Sequence, residues 1–167
     1  GWYVTPPAPP GVRLAGLLWP PGYGGIPDVS LAIEWAVYGF AVLLLTPRGQ
    51  GPDPYPAGSV GKLVSRIDDP SEYSYRGIYM DCLRGFDFLQ SQVEVHPHKV
   101  AVAGGSQGGG LTLATAALAE GRVAVAAAHI PFLCHYEWVL NNAVEAGPFR
   151  EIKEYQVENP DLGDMMG

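Results

Sequence analysis

The run Lys99-Val-Ala-Val-Ala-Gly-Gly-Ser-Gln-Gly-Gly-Gly110 sets one serine, Ser106, between Gly104 and Gly108 at Gly-x-Ser-x-Gly spacing. An apolar strand leads into it and an Ala/Leu-rich helix leads out, so the serine falls on a sharp strand-to-helix turn that holds its backbone in a strained conformation. Such a turn lifts a hydroxyl above the end of a sheet, where it serves nucleophilic attack on an acyl carbonyl. The backbone N–H of Gln107 then points at the oxygen that becomes negative, supplying one half of an oxyanion hole. Gly104 and Gly108 have a steric purpose, because side chains there would collide with the adjoining helix and strand. Phosphate cradling does not fit. A Walker loop needs Lys and Ser/Thr after its second glycine, where this chain offers Gly110-Leu111 or Leu111-Thr112, and no offset yields Gly-x-Gly-x-x-Gly. The bland alternative is a glycine-rich turn with an incidental serine.

The elements that must position Ser106 are legible on either side. Val12 to Trp19 reads as a buried strand ending in Pro20-Pro21-Gly22-Tyr23-Gly24-Gly25, a stretch that neither helix nor strand can cross. Asp28 or Ser30 caps a helix through Tyr38, Gly39 closes it, and Phe40 to Leu45 is an apolar run of the kind buried in parallel sheets. Pro47 to Glu72 is a long Pro/Gly/Asp-rich connection, expected to shape a site. Ile78, Cys82, Phe86 and Leu89 recur at helical spacing, and His96-Pro97-His98 turns the chain into the strand before Ser106. The following helix runs to about Glu120, where Gly121 ends it. Val123 to Ala128 is the next buried strand, and Pro131 onward gives a loop, a helix around Tyr136 to Val144 and an acidic segment. This β/α alternation predicts a doubly wound, mostly parallel α/β sheet with right-handed crossovers and a site at the strands' C-terminal edge. Tyr23, Arg48, Ser106 and His129 all follow strands at that edge.

With 167 residues, 47% hydrophobic and 16% charged, the chain is expected to form a single domain with a substantial core. A net charge of −7 and the lack of any basic run argue against nucleic acid and for small neutral or cationic partners. No stretch is long and apolar enough to span a membrane, and Gly1-Trp-Tyr-Val-Thr-Pro is no signal peptide, so a cytoplasmic location is the expectation. Cys82 and Cys134 read as buried thiols rather than metal ligands or a disulfide.

Four local patterns together resemble one family: Pro21-Gly22-Tyr23-Gly24-Gly25, Arg48-Gly49-Gln50-Gly51, the stretch from Tyr73 to Leu89, and Gly104-Gly105-Ser106-Gln107-Gly108-Gly109. The chain is similar over nearly its whole length to the acetyl xylan esterase/cephalosporin C deacetylase family, carbohydrate esterase family seven, of the α/β-hydrolase superfamily. The resemblance implies that Ser106 is the acyl-accepting nucleophile and that the backbone amides of Tyr23 and Gln107 form the oxyanion hole. It also implies that Arg48, Gly49 and Gln50 order the neighbouring loop, that Ile130 to Cys134 is the loop after the next strand, and that residues 131–167 begin a cap or insertion region. The family carries a histidine where Pro21 stands and an aspartate ahead of Arg48, where this chain has Thr46-Pro47. The substrate implied is a small acetylated sugar or related ester, such as an acetylated xylo-oligosaccharide, without metal or organic cofactor, and the full-length protein implied is a homo-oligomer.

A serine hydroxyl needs a base, and this fold supplies its triad in the order Ser, Asp/Glu, His. The last histidine here is His135, so Asp161 and Asp164 have none after them, and the chain reads as an internal fragment, incomplete at both ends of the sheet. His96 and His98 precede the strand and stand roughly 20 Å from Ser106 at about 3.3 Å per residue, so neither is its base. A His-x-His metal pair there lacks a third ligand. His129 ends the adjacent strand and is the one candidate for an improvised base, with no nearby carboxylate evident to orient its ring. His135-Tyr136-Glu137 imitates a terminal His-Glu pair but lies in the loop region. The reading is a serine esterase removing acetyl groups. The alternatives are another acyl hydrolase, such as a peptidase or thioesterase, and a non-catalytic remnant of a hydrolase.

Overall fold

The computed structural model describes residues 1–25, 28–50, 63–142 and 147–160. Strand β1 is Trp2–Val4 and β2 is Leu14–Trp19; helix α1 (Val29–Val37) leads to β3 (Phe40–Leu44), and α2 (Ser74–Ser91) to β4 (Val95–Gly105). Helix α3 (Gln107–Leu118), β5 (Val125–His129), α4 (Tyr136–Asn142) and α5 (Phe149–Glu158) complete the described elements.

The strands form one sheet in the order β1-β3-β2-β4-β5, parallel except for β1, which runs antiparallel to β3 with Trp2 opposite Leu44. Alternation along each strand divides the buried side chains between the two faces. Leu17, Val42 and Leu44 pack with Ala32 of α1, while Leu18, Ala41, Val100 and Val102 pack with Phe86 and Leu89 of α2 and with Ala119 beyond α3. The expected doubly covered, mostly parallel sheet is present.

Local signals act as their chemistry dictates. Asp28 caps α1 by accepting from the Ser30 N–H at 3.0 Å, and Gly39 closes it at a φ of 90°. The α2 stripe of Ile78, Cys82, Phe86 and Leu89 is fully buried. The opening Trp2–Val4 forms a strand, anchored where the Tyr3 phenol donates to Glu94 at 2.8 Å. Three expectations are corrected. His96-Pro97-His98 lies inside β4, not in a turn before it. The ladder jumps there from Leu14 opposite Val95 to Gly16 opposite Val100, and this irregularity accommodates a proline that has no N–H to donate. The strand at Val125–His129 is largely exposed, because β5 is the outermost strand among the described residues. Cys134 is exposed in the loop before α4, whereas Cys82 is buried and its thiol pushed up to about 12 by desolvation.

The acidic C-terminal stretch contains a helix, α5, for which the sequence showed only its acidic composition. Ile152 carries it into a cluster with Leu63, Tyr75, Ile78 and Leu111, and Phe149 packs against Phe132 with ring centroids 4.4 Å apart. Of the long 47–72 connection, residues 51–62 lie outside the described ones. Its far flank packs inward, with Leu63 and Val64 buried in that same cluster.

Candidate active site

Ser106 leaves β4 with a φ of 54° and a ψ of −121°, a conformation costing a non-glycine residue about 1–3 kcal/mol. Backbone bonds hold it there: its N–H donates to the His129 carbonyl at 3.1 Å, and its own carbonyl accepts from Gly110 at 3.1 Å and Phe132 at 2.9 Å. The serine itself is exposed at the sheet edge. The elbow glycines are required by close approach. A Cβ on Gly104 would lie 2.7 Å from the Gly108 carbonyl carbon, and one on Gly108 would overlap the Pro20 carbonyl oxygen.

Because the Ser106 carbonyl takes the Gly110 N–H, the amides of Gln107, Gly108 and Gly109 have no acceptor within α3. They form the positive end of the helix directly after the serine, suited to a developing oxyanion. The Gln107 side chain, fully buried, fixes the opposite wall. Its Nε2 donates to Gln50 Oε1 at 2.8 Å and to the Pro21 carbonyl at 3.2 Å. Gln50 Nε2 in turn donates to the carbonyls of Gly22 at 2.8 Å and Gly25 at 3.3 Å. The two amides assigned to the oxyanion hole, those of Tyr23 and Gln107, are therefore joined through the side chain of Gln107 itself. The tether supplies order to a loop that has Pro21 in place of the family's histidine.

Tyr75, on the first turn of α2, completes this network by donating to Gln107 Oε1 at 2.7 Å. Burial, reinforced by neighbouring tyrosines, raises its phenol far above the ordinary value and keeps it a donor. Arg48 is held to α2 by Asp81, whose Oδ2 accepts from the Arg48 N–H and Nε, both at 2.9 Å, while Oδ1 accepts from Nη2 at 2.7 Å. Gly77 lies against that guanidinium, with no room for a Cβ, and Gly49 takes a φ of 68° to turn the chain toward Gln50. Tyr23 donates its phenol to Glu151 of α5. Tyr75, Asp81 and Glu151 are absent from the sequence-derived site. Tyr75 sits three residues before Ile78 on the apolar stripe, which marks it as packing and conceals the role of its hydroxyl.

His96 and His98 lie at the other end of β4. The His129 Nδ1 stands 3.8 Å from where a Gly105 Cβ would be, one residue before the serine. Among the described residues His129 has no carboxylate partner, and no cluster of three or more His, Cys, Asp or Glu could hold a metal. A 660 Å³ cavity lined by Thr5, Arg13, Leu14 and Glu94 is at the N-terminal ends of β2 and β4, remote from Ser106.

A mostly parallel, doubly covered sheet with a strained serine between β4 and the next helix defines an α/β-hydrolase. The chain belongs to the acetyl xylan esterase family, whose AXE1 model matches residues 2–162. It is similar to the acetyl xylan esterase from Paenibacillus sp. R4 (39% identity, TM-score 0.85), covering 96% of this chain and 53% of that one. It is also similar to acetyl xylan esterase 1 from Thermoanaerobacterium sp. JW/SL YS485 (29% identity, TM-score 0.81), covering 92% and 50%. The acetyl esterase Axe7A of Xylanibacter ruminicola is 36% identical over 94 residues, 56% of this chain and 21% of that protein. The chain thus spans about half the length of the two solved relatives and about a fifth of the third.

Proposed function

We propose that this chain carries the nucleophile and oxyanion hole of a serine esterase that removes acetyl groups from small acetylated sugars. The observation that carries the reading is Ser106 itself: a serine at a φ of 54°, exposed at the end of β4, with the next residue wired to the Tyr23 loop. In the full-length protein Ser106 Oγ attacks the acetyl carbonyl as its proton passes to a general base. The N–H groups of Tyr23 and Gln107 hold the resulting anion. Collapse of the tetrahedral species breaks the bond to the sugar oxygen, which leaves protonated, and water then releases acetate from Ser106. Arg48, Gly49 and Gln50 shape the loop without touching the reacting atoms.

The family resemblance supports extending the substrate range to cephalosporin-type acetyl esters and a homo-oligomeric assembly; a cytoplasmic location is proposed from the sequence alone. A ring-like oligomer should be seen by light scattering of the full-length protein, and a monomer would refute it. A second reading, a remnant without turnover, is favoured for the 167 residues alone by His129, which has no carboxylate to orient it among the described residues. One experiment separates the two. In the full-length protein, Ser106→Ala should lower kcat/KM for 4-nitrophenyl acetate on the order of 10⁴-fold or more. In the 167-residue chain it should change the residual rate little, because a lone serine contributes almost nothing without its base. Undiminished hydrolysis by the full-length variant overturns the esterase reading. A Ser106-dependent burst in the short chain instead overturns the remnant reading and makes His129→Ala the next variant to measure.

A further inference from the structure

We propose that Glu151 is a positioning residue for the oxyanion donor at Tyr23, which makes α5 part of the catalytic scaffold. The proposal rests on the reading of the Tyr23 N–H as that donor. Glu151 lies in the first turn of α5. One of its carboxylate oxygens accepts the Tyr23 phenol and the other accepts the Leu63 N–H at 3.3 Å. A single side chain therefore joins the loop after β2, the approach to α2 and a helix 128 residues further along the chain than Tyr23.

Exposure separates Glu151 from the ion pair beside it. Arg150 and Glu154 face solvent and pair with each other at 2.7 Å, whereas Glu151 is only partly exposed, next to the buried Ile152. Both of its carboxylate oxygens accept a hydrogen bond from another part of the chain. The helix that carries it is itself fixed: Phe149 packs on Phe132 and Tyr136, and Ile152 shares a cluster with Tyr75 and Leu111.

The catalytic group at Tyr23 is its backbone amide, so its side chain is available as a handle. Gln50 holds the loop by the carbonyls on either side, at Gly22 and Gly25, and Glu151 holds the residue between them by its phenol. Together they determine where the Tyr23 peptide plane points. Positioning of this kind acts on turnover rather than on substrate affinity, since the anion exists only in the transition state.

The test uses the full-length protein and an activated acetyl ester, assayed well below each variant's melting temperature. Glu151→Ala should lower kcat about tenfold or more with KM changed less than about threefold, because small misplacements of a catalytic group are expensive. Glu151→Gln, whose carboxamide oxygen still accepts the phenol but whose nitrogen no longer accepts from the Leu63 N–H, should fall between the parent and the alanine variant. Tyr23→Phe should reproduce the alanine effect, and the double variant should be no worse than either single one. Unchanged kcat in Tyr23→Phe or Glu151→Ala, additive losses in the double variant, or a Gln variant as impaired as the Ala one would each overturn the proposal. Should Glu151→Ala fail to fold, Tyr23→Phe and Glu151→Gln decide it. Ser106→Ala, run in parallel, separates the two levels: if that variant is inert while Glu151→Ala keeps full kcat, the positioning role fails and the esterase reading stands. If Ser106→Ala remains active, both fall.

Discussion

Tyr75 of α2 donates its phenolic hydrogen to Oε1 of Gln107, the residue immediately after the candidate nucleophile, across 2.7 Å of buried interior. The chain of bonds that begins there has one consistent polarity. The carbonyls of Pro21, Gly22 and Gly25 can only accept, so Gln50 and Gln107 must turn their amide nitrogens toward that loop. Their oxygens then face inward, and the last of them, on Gln107, is satisfied by Tyr75.

Tyr75→Phe removes one oxygen and leaves Gln107 Oε1 buried without a donor. The expected cost is about 1–3 kcal/mol of folding stability, measured as a lowered urea midpoint. Released from Tyr75, the Gln107 amide loses its fixed orientation toward Gln50. Turnover should therefore fall by more than the loss of folded protein explains, and a kcat equal to the parent would contradict this account.

Gly108→Ala tests the contact between the elbow and the loop bearing Tyr23. Its added Cβ meets the Pro20 carbonyl, which is backbone and cannot rotate away. Overpacking costs typically about 1–3 kcal/mol and more where backbone must move, so the variant should be less stable than Gly105→Ala. A Cβ at Gly105 meets nothing nearer than 3.8 Å. Circular dichroism melts of the two proteins side by side check the prediction, and equal melting temperatures would refute it.

Alkaline pH should destabilise the fold from about pH 9 upward. The buried Cys82 thiol is raised from 9.0 to about 12, and the Tyr73, Tyr75 and Tyr136 phenols are raised above 10.0, in each case chiefly by desolvation. A group that holds its proton more tightly when folded contributes stability that is complete below its unfolded value. That stability is lost as pH rises toward its folded value. Urea midpoints should thus begin to fall between about pH 9 and 10, led by Cys82, and fall more steeply above 10 as the tyrosines join. Cys82→Ala should flatten the first part of this slope while lowering stability overall through the cavity it leaves.

Much of the scaffold was determined by the sequence. Periodicity at Ile78, Cys82, Phe86 and Leu89, the continuous apolar run from Phe40, the Asp28 cap and the Gly-x-Ser-x-Gly spacing each record a local physical requirement that shows without knowledge of any partner. The elbow is local in the same sense, since strand, strained serine and helix are consecutive, and Gln107 was legible once that turn was assigned, whereas the role of Tyr23 came only from the family resemblance. What the tertiary structure decided are the relations between distant residues. Trp2–Val4 is too short to show a pattern and becomes a strand only by pairing with β3. Val125–His129 reads as a buried strand but is largely exposed, because exposure depends on a place in the sheet order that composition does not encode. The segment that forms α5 shows only an acidic composition until Ile152 finds its cluster. The same reason hid Tyr75, Asp81 and Glu151. Their partners Gln107, Arg48 and Tyr23 lie 32, 33 and 128 residues away, and a hydrogen bond leaves no periodic trace in sequence when only the folded chain brings its two ends together.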